Sequence, residues 1–390
     1  MAVKILIVTM SLPYPPASGG AIRVHGIVEG LRQAGYNVHL LCFADEAGEF
    51  PIHTLPAPHR TKLNRLRDLL LTRQPDIAKR FYDETFAAKL RELIQQHHYD
   101  LIQFEGIESV CYQPIAANSG AKLVFDTFNA EYDLQRVIYT IDRKNIKRLP
   151  AAIYSFLQIG RIKRYEQAMC QMADAVIAVS DEDATLLRNF RTDKTVHVVP
   201  NGIWVNRYQD ESTVRLSSQH NIVFTGKMDY RPNVDAMVWF TESVLPHIPN
   251  AHLTIVGQQP HPRLDYLKTM SNVTITGWVD TVPPYLKAAD VYVAPLRMGS
   301  GTRLKLLEAM ACGCAIVATS TASSGLSDEA RAAMHIEDDA EAMAESIKSL
   351  LNQPEKRAQM GIEAQQRVRE TYDWSALIPR LLTVYNELEK

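Results

Sequence analysis

Three side chains that suit a diphosphate and a sugar follow a pair of glycines late in the chain. The segment reads Gly299-Ser300-Gly301-Thr302-Arg303-Leu304-Lys305-Leu306-Leu307-Glu308. Glycines let a backbone approach a ligand closely, and the free N–H groups at a helix start attract anions. Arg303 and Lys305 add positive charge, and the Glu308 carboxylate can accept hydrogen bonds from hydroxyl groups. We therefore predict one site here for a diphosphate joined to a sugar.

Two simpler interpretations of the same segment stay open. Lys305 and Glu308 are three residues apart, a spacing that also gives an ordinary ion pair on a helix surface. The glycines at 299 and 301 resemble the start of the dinucleotide motif GxGxxG, although Leu304 stands where the third glycine belongs. The remainder of the chain favours the diphosphate interpretation.

A second glycine-bearing loop lies near the N-terminus, between a predicted strand and a predicted helix. It reads Pro13-Tyr14-Pro15-Pro16-Ala17-Ser18-Gly19-Gly20 and opens a helix that we expect to end near Ala34. Adjacent glycines permit close backbone approach, and the helix dipole favours a phosphate or carboxylate at this point. A plain turn is the alternative, but it needs one glycine rather than two.

The elements that must position these residues alternate between strand and helix in two blocks. In the first block, short apolar runs cover residues 4–9, 38–43, 100–104, 122–126, 175–180 and 196–199. In the second block they cover residues 221–225, 252–256, 273–276, 290–294 and 315–318. Such runs with helices between them predict an α/β protein with two parallel sheets, each covered on both faces.

Ligands bind open α/β sheets at the carboxyl ends of the strands, and both glycine loops follow predicted strand ends. The topology therefore predicts an active site in a cleft between the carboxyl edges of two domains. A polar stretch after Pro200-Asn201-Gly202-Ile203 marks the linker. We place the domains at residues 1–205 and 206–370, followed by a helical segment over residues 371–390.

Residues 290–319 resemble the donor-nucleotide signature of glycosyltransferase family 4, whose members are retaining enzymes with the GT-B fold. That fold has two Rossmann-like domains whose parallel sheets face an interdomain cleft, and its last helix crosses back to the N-terminal domain. The resemblance extends over nearly the whole chain. Met228-Asp229-Tyr230 followed by Pro232-Asn233 is also similar to a bacterial subgroup that transfers sugars in exopolysaccharide assembly.

The resemblance implies roles in the second domain. Glu308 matches the second of two glutamates eight positions apart and is implied to hold the ribose hydroxyls, whereas the first glutamate is replaced by Ser300. Arg303, Lys305 and Lys227 are implied to neutralise the leaving diphosphate. Lys227 matches the first of the two cations that relatives carry at this turn, and Arg231 lies nearby. The remaining implied donor contacts are Gly226, Gly277, Val279, Gly301 and Thr302.

In the first domain, the resemblance implies that Gly19 and Gly20 face the donor diphosphate and the acceptor. Residues 125–132 match a segment that commonly carries a histidine beside the donor sugar, and Phe128 stands at that position here. Asn129 and Glu131 remain as polar candidates on the acceptor or donor-sugar side. An Asx turn and a helix-capping carboxylate explain these two residues equally well.

Trp278 follows the predicted strand over residues 273–276. Stacking on a nucleotide base is one interpretation of this indole. A tryptophan beside a strand more often belongs to the core or an interface, and we expect that of Trp278.

Composition limits the classes of function. The chain has 390 residues, 46% hydrophobic and 22% charged, with a formal charge of −2 that argues against general nucleic-acid binding. No apolar run approaches about 18 residues and a strand begins at once, so we expect a cytoplasmic protein without a membrane span or secretory signal. The five cysteines are scattered. We expect reduced thiols, no metal site and no cofactor.

Two stretches of the first domain are basic and amphipathic. Residues 60–80 and 143–164 each contain seven Lys or Arg, and the second stretch contains no acidic residue. Electrostatic docking on an anionic membrane is one interpretation, suited to a lipid-linked acceptor, and a solvated helix face is the other. The cations that we expect to face lipid are Arg65, Arg67, Arg143, Lys147 and Arg161.

The residues and the resemblance together predict a retaining, metal-independent transfer of a hexose-like unit. The donor is a UDP- or GDP-linked sugar and the acceptor a hydroxyl group, in cell-surface glycan or exopolysaccharide synthesis. Cationic side chains and helix N-termini stabilise the departing diphosphate, whose oxygen takes the acceptor's proton on the same face. The alternatives are a GT-B sugar-nucleotide epimerase and a degenerate nucleotide-binding partner protein, which Ser300 and Phe128 motivate.

Overall fold

The computed structural model describes residues 3–16, 18–46, 51–143, 148–191, 195–210, 212–216, 220–298 and 304–388. The chain divides into two compact units. The first unit comprises residues 1–200 and 377–390, and the second comprises residues 201–376. The first boundary falls within the Pro200-Asn201-Gly202-Ile203 turn, slightly before the division expected after residue 205.

The described part of the first unit contains a sheet of seven strands, and all of its neighbouring strands pair in parallel. The strands are β1 (Lys4–Val8), β2 (Asn37–Phe43), β3 (Ile52–Leu55), β4 (Leu101–Glu105), β5 (Lys122–Asp126), β6 (Ala175–Ala178) and β7 (Val196–Val198). Their order is β3-β2-β1-β4-β5-β6-β7. Central β1 is almost wholly buried, which explains why its sequence is continuously apolar.

Helices connect these strands and cover the sheet. They are α1 (Gly19–Gln33), α2 (Lys62–Leu71), α3 (Asp76–Phe81), α4 (Glu84–His97), α5 (Gln113–Ala116), α6 (Glu131–Asp142), α7 (Leu149–Met172) and α8 (Asp181–Arg188). Helix α1 begins where the glycine loop predicted, because Ser18 Oγ accepts a hydrogen bond from the N–H of Ala21 at 3.3 Å.

The second unit has a parallel sheet with six strands among its described residues, ordered β10-β9-β8-β11-β12-β13. The strands are β8 (Asn221–Thr225), β9 (His252–Val256), β10 (Val273–Gly277), β11 (Val291–Ala294), β12 (Ile316–Ala318) and β13 (His335–Ile336). The helices are α9 (Arg231–Trp239), α10 (Pro283–Lys287), α11 (Leu304–Ala311), α12 (Ser320–Ser323), α13 (Asp328–Ala332), α14 (Ala340–Leu351), α15 (Pro354–Tyr372) and the start of α16 (Trp374–Leu388).

The C-terminal helical segment predicted over residues 371–390 is broken near its start. Helix α15 ends at Tyr372 and α16 begins at Trp374. Between them, Asp373 pairs with Ile203, and the Asp373 carboxylate accepts the N–H of Val205 at 3.0 Å. These contacts keep the start of α16 in the second unit, so the chain returns to the first unit at Leu377 rather than at residue 371.

The prediction of two parallel sheets is confirmed, and every predicted strand is present. Two strands were not predicted. Edge strand β3 is only half-buried along its length, so its sequence lacks a continuous apolar run. Strand β13 has two residues, which is too short for any periodic pattern.

Candidate functional site

Lys305 lies in the first turn of α11, beside the carboxyl end of β8. Its Nζ donates hydrogen bonds to the Thr225 carbonyl at 2.9 Å and to Asn233 Oδ1 at 2.8 Å. The same ammonium lies 4.4 Å from the centroid of the Phe224 ring. Strand β8 supplies Thr225 and Phe224, and helix α9 supplies Asn233. These contacts hold the Lys305 ammonium at the carboxyl edge of the sheet.

Glu308 lies about one turn further along α11. Its Oε1 accepts a hydrogen bond from the Tyr208 hydroxyl at 3.0 Å. Burial raises the pKa of Glu308, while the Tyr208 hydrogen bond and the charge of Lys305 oppose that rise. Lys305 and Glu308 are both described, and they bond to different groups rather than to each other. The interpretation as an ordinary surface ion pair is therefore wrong.

The turn after β8 depends on glycine. Gly226 has a φ of +150°, and a Cβ there would lie 2.6 Å from Asn233 Nδ2 and 2.9 Å from Lys305 Nζ. A Cβ on Gly257, after β9, would lie 1.8 Å from the Gly226 carbonyl oxygen. Gly226 thus lets the turn approach the Lys305 ammonium, and Gly257 lets the neighbouring turn approach Gly226.

Lys227 follows Gly226 but lies in a different environment from Lys305. Its side chain is 54% exposed, and its Nζ is 3.6 Å from Asp229 Oδ2. Its backbone carbonyl accepts a hydrogen bond from Asn233 Nδ2 at 2.9 Å. Two lysines therefore flank the same turn, one held by protein groups and one largely in solvent.

Helix α9 holds both ends of the connection from β11 to α11. Before the connection, the Arg297 guanidinium makes two hydrogen bonds to the Asp235 carboxylate, at 3.0 and 3.1 Å. The same guanidinium lies 5.4 Å from the centroid of the Trp239 ring. After the connection, Lys305 bonds to Asn233. The predicted site residues Ser300, Gly301, Thr302 and Arg303 lie outside the described residues and stay predictions.

Gly277 is the last residue of β10, and Val279 lies in the turn that follows. Gly277 has a φ of +73°, and Val279 packs against the core of the second unit. Trp278 between them is 67% exposed, so it does not belong to the core, and its roles at an interface or against a base stay predictions. The left-handed backbone at Gly277 ends the strand and turns the chain away from the sheet, which leaves the indole in solvent.

In the first unit, the Phe128 ring lies against both the start of α1 and the turn after β4. A Cβ on Gly20, at the start of α1, would lie 3.0 Å from Phe128 Cε2. A Cβ on Gly106, after β4, would lie 2.8 Å from both Phe128 Cε2 and Glu108 Oε2. Gly19 and Gly20 thus lie at the carboxyl edge of the sheet, as predicted. Glu108 in the same place was not predicted, since no sequence motif marks it.

Asn129 and Glu131 lie at the start of α6, where Asn129 Nδ2 donates to Glu131 Oε1 at 3.3 Å. The Glu166 carboxylate accepts the N–H groups of Glu131 and Tyr132 at 2.8 and 3.0 Å. Asp183 accepts the N–H of Ala130 at 2.9 Å. Because α7 and α8 supply these carboxylates, the interpretation of Glu131 as the helix cap is wrong.

The Glu131 carboxyl group lies in an unusual electrostatic environment. Burial raises the pKa of Glu131 to about 8, the nearby Glu108 carboxylate adds to the rise, and the Asn129 hydrogen bond opposes it. Glu131 is therefore mainly neutral at pH 7, with an O–H available as a hydrogen-bond donor.

A buried ion pair that the sequence did not reveal supports this edge. Arg23 of α1 donates to Asp126 at the end of β5, with N–O distances of 2.7 and 3.0 Å. Both side chains are buried, so the pair fixes α1 against the sheet. Burial, together with the Asp126 charge, raises the pKa of the neighbouring Glu105. The sequence feature that could have indicated this ion pair is an isolated arginine, Arg23, within the apolar pattern of α1.

The described ranges contain neither a candidate metal cluster nor a candidate membrane-spanning helix. No group of three or more His, Cys, Asp or Glu side chains there has an arrangement that could hold a metal ion. None of the helices within the same ranges combines the length and apolar character needed to cross a membrane.

Two family models match the chain. The model described as "Glycosyltransferase Family 4" matches residues 17–207, mainly in the first unit. The model described as "Glycosyl transferases group 1" matches residues 219–353, in the second unit. The two matches together include Gly19, Gly20, Lys227, Lys305 and Glu308.

Individual proteins resemble the chain over nearly its whole length. It is 22% identical to phosphatidyl-myo-inositol mannosyltransferase of Mycolicibacterium smegmatis, over 96% of this chain and 92% of the relative. Sucrose-phosphate synthase from Thermosynechococcus elongatus is similar in structure, with a TM-score of 0.75, 19% identity and 99% coverage of both chains. Anabaena HepE, solved in complex with UDP and glucose, has a TM-score of 0.68 at 15% identity, covering 99% of this chain and 100% of its own.

Proposed function

Because the chain belongs to glycosyltransferase family 4 and has the GT-B fold, we propose that it is a retaining enzyme acting on nucleotide sugars. It transfers a hexose-like unit from a UDP- or GDP-linked sugar to a hydroxyl acceptor. The observation that supports this most strongly is the placement of Lys305 and Glu308 on one helix at the sheet edge. Lys305 is held there by Thr225 and Asn233, and Glu308 is held by Tyr208.

The proposed reaction needs positive charge where the diphosphate departs. The bond between the anomeric carbon and the phosphate oxygen breaks, and a bond to the acceptor oxygen forms on the same face. The acceptor's proton passes to the departing phosphate oxygen. Lys305 requires little reorganisation to stabilise that charge because protein groups already hold its Nζ. Lys227 and Arg303 add charge, so no metal ion is required.

Glu308 and the glycine turns bind the rest of the donor. The Glu308 carboxylate accepts hydrogen bonds from the ribose hydroxyls, and the Tyr208 hydroxyl fixes its orientation. Backbone groups at Gly226, Gly277 and Val279 and in the segment Ser300-Gly301-Thr302 provide further contacts. Residues 206–370 thus form the donor-binding domain.

Residues 1–205 form the acceptor-side domain in this proposal. Gly19 and Gly20, at the start of α1, offer backbone N–H groups to the diphosphate or the acceptor. Asn129 and the neutral Glu131 carboxyl group donate hydrogen bonds to hydroxyl oxygens of the acceptor or the donor sugar.

The acceptor in this proposal is lipid-linked, and the product belongs to cell-surface glycan or exopolysaccharide synthesis. The name of the mycobacterial relative states a phosphatidyl-myo-inositol acceptor, which supports a lipid-linked substrate. The basic stretches of the first domain support work at the inner, anionic face of the cell membrane. We place the enzyme in the cytoplasm, peripheral to that membrane.

A two-step experiment tests the proposal. Thermal shift against a panel of nucleotide sugars identifies the donor, since a ligand that binds the folded state raises the melting temperature. Product analysis with that donor, with and without lipid acceptors, then separates the alternatives. Transfer gives a nucleoside diphosphate and a glycoside. An epimerase changes the sugar without an acceptor product, and a degenerate binding protein gives neither product; either result contradicts the proposal.

A further inference from the structure

Helix α7 has apolar side chains on two faces, and among the described residues one face is buried while the other is exposed. Ala152, Ile162 and Met169 lie on the buried face. Leu149, Ile153, Phe156 and Leu157 are 44% to 62% exposed. At about 100° of rotation per residue, these four side chains lie within about 100° of one another around the helix axis. We call this row of four residues the apolar stripe.

Helix α6 extends the stripe at one side. The rings of Tyr139 and Phe156 have centroids 5.7 Å apart. The Arg143 guanidinium lies 5.7 Å from the centroid of the Tyr139 ring. An aromatic pair with a cation over one of its rings therefore borders the stripe, an arrangement that suits a boundary between apolar and polar surroundings.

The charges around the stripe are of one sign. Lys163 and Arg164 follow it on α7, both exposed, and Arg143 precedes it. Residues 143–164 contain no acidic side chain. Asp142, just before them, is buried and paired with Arg148 at 3.0 Å. The free surface of this helix thus combines apolar and cationic groups.

Some cations of the two basic stretches bond to other groups of the protein. Arg60 pairs with Asp68 at 2.9 Å and with Asp76 at 2.7 Å. Arg161, expected to face lipid, donates to the Leu69 carbonyl at 2.8 Å. Arg67 contacts Asp68 at 3.3 Å. Lys147 and the side chain of Arg65 lie outside the described part of the chain. Arg60, Arg67 and Arg161 therefore offer less free charge than the sequence suggested.

We propose that the apolar stripe of α7 inserts into the interface of an anionic lipid bilayer, with Arg143, Lys163 and Arg164 on the lipid headgroups. Helices with an apolar face and flanking cations lie in the headgroup region, held by apolar burial and by attraction to anionic lipid. A second copy of the chain is a poorer occupant, because it would bring a surface of the same positive charge against this one.

Insertion makes a prediction that electrostatic docking alone does not. Salt screens the cations, but the burial of Ile153 and Phe156 persists at about 0.5 M salt, where the Debye length is only a few Å. We expect the full chain to sediment with phosphatidylcholine vesicles that contain phosphatidylglycerol. A large part of that binding should remain at high salt.

Substitutions in the apolar stripe, with a matched control, test whether the stripe binds the vesicle. Phe156→Ser should lower vesicle partition roughly tenfold, and the double variant Ile153→Ser/Phe156→Ser roughly a hundredfold, from the lost apolar burial. The control is Ile362→Ser, since Ile362 on α15 is also 60% exposed but lies in the second unit. It should bind like wild type. Lys163→Glu/Arg164→Glu should weaken binding mainly at low salt.

Three results would overturn the inference. The first is absence of wild-type binding to anionic vesicles, and the second is a double serine variant that binds as well as wild type. The third is a concentration-dependent dimer, lost in that variant, without vesicle binding, which would make the stripe a self-association surface. The inference rests on the proposed function only for the choice of a membrane. Vesicle binding uses no substrate, so its failure is distinct from a failure of nucleotide-sugar binding.

Discussion

At the scale of single residues, variants of Lys305 and Lys227 distinguish the effect of a positive charge on turnover from its effect on folding stability. Lys305→Met should lose about 2–4 kcal/mol of transition-state stabilisation because it removes a preorganised charge. It should also lose about 1–3 kcal/mol of folding stability, since Asn233 Oδ1 and the Thr225 carbonyl lose their donor. Turnover and denaturant unfolding measure the two effects.

Lys227→Met is the matched variant. Lys227 is largely in solvent, so its loss should change folding stability by no more than about 0.5 kcal/mol while still slowing turnover. Wild-type turnover in Lys305→Met would remove that lysine from the mechanism.

Glu308 offers a second prediction, on affinity for the nucleotide. Glu308→Gln can still accept from Tyr208 but lacks the charge, so nucleoside diphosphate binding should weaken by about tenfold, measured by calorimetry. A 2′,3′-dideoxy nucleotide should bind wild type and variant alike. If the variant binds the normal nucleotide as tightly as wild type, the carboxylate does not hold the ribose.

His39 gives a prediction on pH. It is buried on β2, with Nδ1 2.9 Å from the Tyr99 hydroxyl. Burial, together with the neighbouring His97 and His53, lowers the pKa of His39 from 6.5 to about 4. Between about pH 4 and pH 6.5, His39 therefore binds a proton more readily in the unfolded chain than in the folded chain. Stability from neutral His39 is complete above pH 6.5 and falls as the pH drops towards 4.

The expected loss is about 2 kcal/mol at about pH 5. Urea unfolding of the first unit at about pH 7.5 and pH 5 measures it. His39→Gln should reduce this pH dependence, whereas His59→Gln, at an exposed site, should leave it unchanged. If the stability of His39→Gln depends on pH as that of wild type does, protonation of His39 is not the cause.

At the scale of elements, the turn from β8 to α9 fixes the ammonium of Lys305. Gly226→Ala places a Cβ against Asn233 and Lys305, and its φ of +150° disfavours any side chain. We expect a loss of more than about 1 kcal/mol in stability, with weaker nucleotide binding. Gly120→Ala is the control, because Gly120 has a φ of +82° and no atom near its Cβ position. It should lose stability while nucleotide affinity stays unchanged.

The sequence predicted the strands more accurately than it predicted the side-chain contacts between distant residues. Buried parallel strands read as apolar runs, so β8 and β11 were predicted close to their observed bounds. The partners of Lys305 lie 80 and 72 residues away, and that of Glu308 lies 100 residues away. The periodicity of a single sequence carries no information on such distant pairs. For the same reason, the caps of α6 by Glu166 and Asp183 were not predicted.

At the scale of the whole molecule, the chain combines two parallel-sheet units, each matched by a glycosyltransferase family model. The proposed chemistry assigns the charge of the leaving diphosphate to side chains rather than to a metal ion. Turnover should therefore persist in excess EDTA. Complete loss of turnover on chelation, restored by magnesium or manganese, would contradict that assignment.

The stereochemistry of donor cleavage is the sharpest test of retaining, metal-independent transfer, and it needs no identified acceptor. We expect water to replace the acceptor slowly, so that proton NMR can follow the sugar released from an α-linked nucleotide donor before it mutarotates. Retaining chemistry predicts the α anomer first, in EDTA, at a rate greatly reduced in Lys305→Met. Initial release of the β anomer would contradict the account.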